Sequence, residues 1–256
     1  MAAAVFDSVA GDGPDVVLLH GLFGMGSNLG ALARGLQHDY RVHSLDLPNH
    51  GRSAWTNSMA LPELAQAVQQ WMVHRGLETA HFVGHSLGGK VAMQLALEAP
   101  YRVDALVVAD IAPVAYPPSH DAVFAAIGAV AEAACRSRSE AATLMAQHLR
   151  EEGVIQFLLL SLQRDEAGVY RWRFNHPVLL SQYAALRAAP EPSAAFDGRT
   201  LFIRGTESDY VSDAYRSQIE QLFPQAEIID MAGCGHWLHA EQPGRFNQHV
   251  GAFLDG

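Results

Sequence analysis

Apolar residues in this chain come in short unbroken runs separated by stretches of helical period. Val16, Val17, Leu18 and Leu19 lead into His20, and residues 41–47 are a second strand candidate. Further runs lie at 80–84, 103–109, 200–204 and 226–229. Such short runs without polar alternation predict strands buried on both faces. Between them, apolar residues recur roughly every three to four positions, predicting helices over 28–36, 61–75, 86–98, 213–222 and 239–254. Ser27 or Asn28 can cap the first helix, while Pro62 and Gly76 frame the second. Strands alternating with helices predict an α/β fold: a mainly parallel twisted sheet with helices on both faces.

The alternation breaks after Asp110. Pro113, Pro117 and Pro118 make a stiff exit, and helical periodicity follows at 119–135, 139–151, 154–162 and 179–187. One short strand is expected at 169–174. The predicted organisation is a core of residues 1–110 plus 196–256, with a helical cap or lid inserted at 111–195. A cap entering after a strand's C-terminal end stands where open α/β sheets bind ligands.

Composition narrows the reading. At 256 residues and 49% hydrophobic content, the chain can bury the core of one such domain with its insertion. A net charge of −10, with scattered basic residues, argues against nucleic acid or an anionic membrane surface as partner. Cys135 and Cys234 imply neither a disulfide framework nor a zinc site. Met1 to Asp7 carry no basic region, and no stretch approaches the roughly 18 to 20 apolar residues of a membrane span. The expectation is a soluble cytoplasmic protein acting on a small molecule, with its oligomeric state open. No metal-ligand spacing is present, and no cofactor is expected.

The strongest chemical signal is Gly84-His85-Ser86-Leu87-Gly88. It lies between a predicted strand and a predicted helix, the context a nucleophile elbow requires. Glycines on both sides suit a turn too tight for a larger Cβ. A serine hydroxyl is a weak nucleophile near neutral pH, so it needs a base in reach and an acid to orient that base. His236, in Gly233-Cys234-Gly235-His236-Trp237, is the expected base, last in chain order. His239 is expected at a helix start on the surface.

Two regions compete for the acid. The loop after the strand at 200–204 is a common location, but Ser208 occupies its usual position, flanked by Glu207 and Asp209. Asp110 closes the strand that follows the nucleophile helix, next to the elbow in a parallel sheet. An aspartate ending the run Val107, Val108, Ala109 requires a partner, because an unpaired buried carboxylate is costly. Asp110 is therefore favoured and Asp209 is the alternative, with Glu207 or a Ser–His dyad also open.

The oxyanion hole is expected from the backbone N–H of Leu87 and that of Leu22 or Phe23, in the loop His20-Gly21-Leu22-Phe23-Gly24. His20, Asn49, His50 and Arg52 read as scaffold around it. Phe23, Met25, Tyr116, Phe124 and Trp237 are the candidate substrate walls, with Phe157, Leu158 and Tyr210 as further apolar candidates.

These residues resemble the α/β-hydrolase superfamily over essentially the whole chain, and within it the YbfF-type bacterial esterases. They are also similar to a mitochondrial group of abhydrolase-domain proteins. The carriers are HGLFG at 20–24, GHSLGGK at 84–90, DIAP at 110–113, EEGVIQFLL at 151–159, WRFN at 172–175 and GHWLHAE at 235–241. The resemblance implies a capped serine carboxylesterase acting on short- to medium-chain acyl esters. Acyl-CoA thioester hydrolysis and C–C bond hydrolysis are the alternatives on the same residues. It implies Ser86 and His236 as catalytic residues and matches its aspartate to Asp110; a receptor that retained the fold is the non-enzymatic reading.

Overall fold

Alternate residues of the central strands face opposite sides, and both sides are dry. Val17, Leu19, Phe82, Leu106 and Val108 join one core, while Val16, Leu18, Val83, Val107 and Ile203 join a second. Only a sheet covered on both faces can bury such strands. A computed structural model describes residues 4–256; the reading of Met1 to Ala3 lies outside them.

The core begins with β1 (Phe6–Ala10), β2 (Asp15–Leu19), α1 (Gly30–Leu36), β3 (Arg41–Asp46), α2 (Leu61–Arg75), β4 (Ala80–His85), α3 (Leu87–Glu98) and β5 (Val103–Ala109). An insertion carries α4 (Asp121–Ala133), α5 (Arg138–Met145), α6 (Glu152–Leu160), β6 (Leu162–Arg164), β7 (Tyr170–Trp172), α7 (His176–Ser181) and α8 (Tyr183–Arg187). The core resumes with β8 (Arg199–Gly205), α9 (Arg216–Leu222), β9 (Ala226–Met231), α10 (Leu238–Glu241) and α11 (Pro243–Asp255). The seven-stranded sheet runs β1-β3-β2-β4-β5-β8-β9, parallel except for β1.

Sequence reasoning missed β1. It is an antiparallel edge strand whose buried Asp7 bonds Arg75 and faces His43, so its pattern is not apolar. The expected helix at 154–162 stops at Leu160 because Leu162 starts β6, which pairs with β7. The expected helix at 139–151 ends at Met145, where the chain turns. Helix 179–187 instead starts at His176, with Pro177 in its first turn, and breaks at Gln182. Pro243, which has no N–H to donate, splits the final helix into α10 and α11.

Specific polar contacts fasten the insertion to the core. Asn175 bonds Asn49 through both backbone (2.9 Å) and side chain (3.0 Å), and Ser161 Oγ donates to the Phe23 carbonyl at 2.6 Å. Lys90, buried in α3, donates to the carbonyls of Val114 (3.0 Å), Arg187 (2.9 Å) and Ala188 (2.5 Å), where the chain enters and leaves the insertion. Burial, reinforced by the nearby Arg187 charge, lowers the Lys90 pKa to about 7. No helix among the described residues is long and apolar enough to cross a membrane.

Candidate active site

Ser86 stands alone between β4 and α3, with φ 52° and ψ −116°. A non-glycine residue seldom adopts such backbone angles, and holding one there costs about 1–3 kcal/mol. The surrounding packing leaves no alternative. Ser86 N–H donates to the Ala109 carbonyl at 3.0 Å, and the Ser86 carbonyl accepts from Lys90 N–H at 3.0 Å. A Cβ at Gly88 would sit 2.1 Å from the Leu19 carbonyl oxygen, and one at Gly84 would lie 2.3 Å from the Gly88 carbonyl oxygen. The two glycines thus let helix and strands close on the serine.

The sheet order explains the remaining geometry. β5 neighbours β4, so Asp110 emerges beside Ser86, while the loop after β9 brings His236 over both. His236 Nε2 lies 3.0 Å from Ser86 Oγ, and His236 Nδ1 lies 2.7 Å from Asp110 Oδ2. Asp110 is fully buried with φ 51°. Its Oδ1 accepts the Gly205 N–H at 3.0 Å, and its Oδ2 also accepts the Ser208 hydroxyl. The carboxylate is thereby satisfied from three directions, as burial demands. Asp209 and Glu207 are exposed and make no hydrogen bond to His236.

Of the two oxyanion candidates in the first loop, the Phe23 N–H is already donated to His50 Nε2 at 3.2 Å. The Leu22 N–H has no partner among the described residues, and neither has that of Leu87 at the start of α3. Leu22, Leu87 and Ser86 line one pocket together. Two free N–H groups beside a serine hydroxyl can receive an oxygen that gains negative charge.

The first loop is rigid for reasons readable from its histidines. His20 bonds the Gly21 carbonyl at 2.7 Å and accepts the Leu47 N–H at 3.0 Å. His50 Nδ1 lies 3.0 Å from the Pro48 carbonyl. Burial drives both below their ordinary pKa, to about 4 for His20 and about 3 for His50, so both are neutral supports. Asp46 completes the brace, accepting the N–H groups of Gly26 (2.7 Å) and Arg52 (2.9 Å).

His239 departs from expectation: it is buried, not on the surface. Its ring lies 4.3 Å from that of His85, and burial lowers its pKa to about 4. Among the proposed walls, Phe23, Tyr116 and Trp237 line the space around Ser86. Phe124 and Met25 do not. The Phe124 ring packs behind Phe23 and Tyr183 at 5.4 and 5.1 Å, and Met25 turns its sulfur to Arg173. His120 and Tyr183, which sequence reasoning did not single out, do line this space. Their periodicity marks them only as insertion residues; the contact between their polar tips, 2.5 Å long, leaves no sequence signal.

Comparison with known proteins places the whole chain in a family. Residues 16–249 match the profile of the alpha/beta hydrolase family. The chain belongs to that family. Among its relatives, esterase YbfF of Escherichia coli (strain K12) is 45% identical over 241 residues, 94% of this chain and 92% of that one. The sn-1-specific diacylglycerol lipase ABHD11 of Mus musculus is 37% identical over 94% of this chain and 81% of its own. The solved structure of a marine microorganism esterase superposes with a TM-score of 0.94 at 32% identity, covering 98% of this chain and 100% of that one. Family membership thus extends across core and insertion alike.

Proposed function

We propose that this chain is a serine carboxylesterase. The observation that carries the reading is the relay from Ser86 Oγ through His236 to Asp110, at 3.0 and 2.7 Å, on a strained elbow. The names of the esterase relatives support the same chemistry.

In this reading His236 Nε2 takes the Ser86 proton as Oγ attacks the ester carbonyl carbon. Asp110 holds the Nδ1–H tautomer and stabilises the imidazolium that forms. The carbonyl oxygen becomes an oxyanion held by the N–H groups of Leu22 and Leu87. Collapse of the intermediate breaks the bond to the alcohol oxygen, which leaves with the proton from His236. Water, deprotonated by the same imidazole, then attacks the acyl-serine and releases the acid. Residues 111–195 act as the cap that encloses the acyl group.

Initial rates on p-nitrophenyl esters, with wild type and Ser86→Ala, test this directly. Serine-dependent turnover is the expected result, and full activity in Ser86→Ala would overturn it. Matched acyl-CoA thioesters in the same assay separate esterase from thioesterase, since both chemistries would use the same three side chains.

A further inference from the structure

The turn that presents the Leu22 N–H is held from the insertion. Gly24 N–H donates to the Gly21 carbonyl at 3.1 Å and closes the turn around Leu22 and Phe23. Phe23 is buried and has φ 63°, a backbone region that favours glycine. Its main chain is held at both ends: the N–H donates to His50 Nε2 at 3.2 Å, and the carbonyl accepts from Ser161 Oγ at 2.6 Å. Ser161 stands between α6 and β6 and is fully buried. His50 is itself tied to the insertion, by its bridge to Phe174 and by the bond from Asn175 N–H to the neighbouring Asn49 carbonyl at 2.9 Å.

The order of these bonds matters, because a trans peptide unit points its C=O and N–H in opposite directions. The unit joining Phe23 to Gly24 accepts from Ser161 at one end and donates to Gly21 at the other. The unit joining Gly21 to Leu22 accepts that bond on its oxygen, with His20 Nδ1 also 2.7 Å away, and points its own N–H the other way. That N–H belongs to Leu22, which lines the space beside Ser86. Two peptide units thus run in line from the Ser161 hydroxyl to the candidate oxyanion donor.

We infer that Ser161 is a positioning residue of the oxyanion hole, and that the insertion completes the hole by seating on Phe23. This rests on the esterase reading above and adds to it a residue of the insertion. A non-glycine residue persists at a positive φ only where its surroundings dictate it. The insertion supplies those surroundings: besides the Ser161 hydroxyl, the rings of Phe124 and Phe174 pack on that of Phe23 at 5.4 and 5.2 Å. Without the hydroxyl, the Phe23 carbonyl is a buried acceptor deprived of its donor. Turning that peptide unit toward another donor breaks the bond from Gly24 to Gly21. The Leu22 N–H then leaves the position where negative charge develops. Each bond in such a chain also polarises the next, so a donor at Ser161 strengthens the Leu22 N–H.

Steady-state kinetics on p-nitrophenyl butanoate, with inhibition by a short alkyl trifluoromethyl ketone, test the assignment on the intact protein. Addition of Ser86 Oγ to the ketone carbonyl, with the proton passing to His236, leaves an oxyanion that the hole must hold. Ser161→Ala should lower kcat about ten- to a hundredfold with KM within about twofold, the loss expected of an oxyanion donor displaced rather than deleted. The inhibition constant of the ketone should rise by the same factor. Ser161→Thr, which keeps the hydroxyl, should recover most of both losses. If Ser161→Ala fails to fold, Ser161→Cys carries the test: its thiol donates weakly, so a smaller loss with the same split is expected. Unchanged kcat, or a lower kcat with the inhibition constant unmoved, would overturn the role of Ser161 and leave the esterase reading standing. Partly inactive protein gives the second pattern, since it lowers kcat without weakening the ketone. Wild type that hydrolyses neither this ester nor its acetyl and octanoyl relatives would overturn both.

Discussion

The Ser208 hydroxyl donates to Oδ2 of Asp110, the same carboxylate oxygen that meets His236 Nδ1. The loop after β8, where an acid could have stood, instead contributes a donor to Asp110, just past the end of β5. Gly205, the last residue of β8, adds its N–H to the other carboxylate oxygen. The two strands share the work: one supplies the charge, and its neighbour supplies the hydrogen bonds that hold it. A carboxylate bonded in this way is locked in orientation, which is what an imidazole needs from its partner.

Asp110→Asn should therefore lower kcat by about three to four orders of magnitude, because the amide cannot hold the required His236 tautomer. Asp209→Asn should leave kcat within about twofold, since an exposed side chain without a bond to His236 offers nothing to remove. Parallel kinetics of the two variants decide the matter. The opposite ranking would transfer the role of acid to the loop after β8.

Gly88→Ala should abolish folding or leave only insoluble protein. The new methyl would meet the Leu19 carbonyl oxygen at 2.1 Å and the His20 carbonyl oxygen at 2.7 Å, and both belong to backbone at the sheet centre. By contrast Gly128→Ala, at a half-buried position of α4 where a Cβ would meet nothing within 4 Å, should be neutral or stabilise the helix by up to about 1 kcal/mol. Soluble yield and thermal midpoint of the two variants test the pair. A well-folded Gly88→Ala would mean that the elbow tolerates more movement than its packing implies.

Sequence reasoning reached the parts of this protein that rest on local pattern. The unbroken apolar runs gave away β2, β4 and β5, because a strand buried on both faces has no polar side to disguise it. That Ser86, His236 and Asp110 come together was readable from chain order and strand ends. β1 was hidden because an edge strand can carry a buried Asp7 when Arg75 and His43 reach it. Phe124 packs one layer behind Phe23, and an apolar side chain there has the same sequence signature as the wall itself. The exclusion of the Phe23 N–H depended on His50, 27 residues away, and no local pattern encodes such a contact.

Acid should destabilise the fold through its neutral histidines. Burial holds His20 and His239 near pKa 4 and His50 near 3, against 6.5 for an exposed imidazole. Between those values the unfolded chain binds protons that the native state refuses, so unfolding free energy rises with pH across the window and is lost as pH falls. Each group contributes on the order of 3 kcal/mol over the full window. Urea midpoints at about pH 7 and about pH 4.5 should differ less in His239→Gln than in wild type, because one such group is gone. An equal loss in both proteins would show that His239 titrates normally.

His85 joins Ser86 to His236. It precedes Ser86 at the end of β4, is 4% exposed, and its Nε2 lies 2.8 Å from the His236 backbone carbonyl. A carbonyl only accepts, so His85 carries its proton on Nε2. Burial, with His239 and His236 nearby, keeps His85 uncharged by lowering its pKa well below the ordinary value. The bond holds the main chain that presents His236, and in the proposed reaction this makes His85 a positioning residue. His85→Ala should lower kcat by about ten- to a hundredfold with little change in KM, the pattern of a misplaced base rather than a lost binding contact. His85→Gln, whose amide can donate to the same carbonyl, should recover most of that loss. Steady-state kinetics of both variants on one p-nitrophenyl ester suffice. If glutamine performs no better than alanine, the ring is there for packing, and the bond to His236 does not position the base.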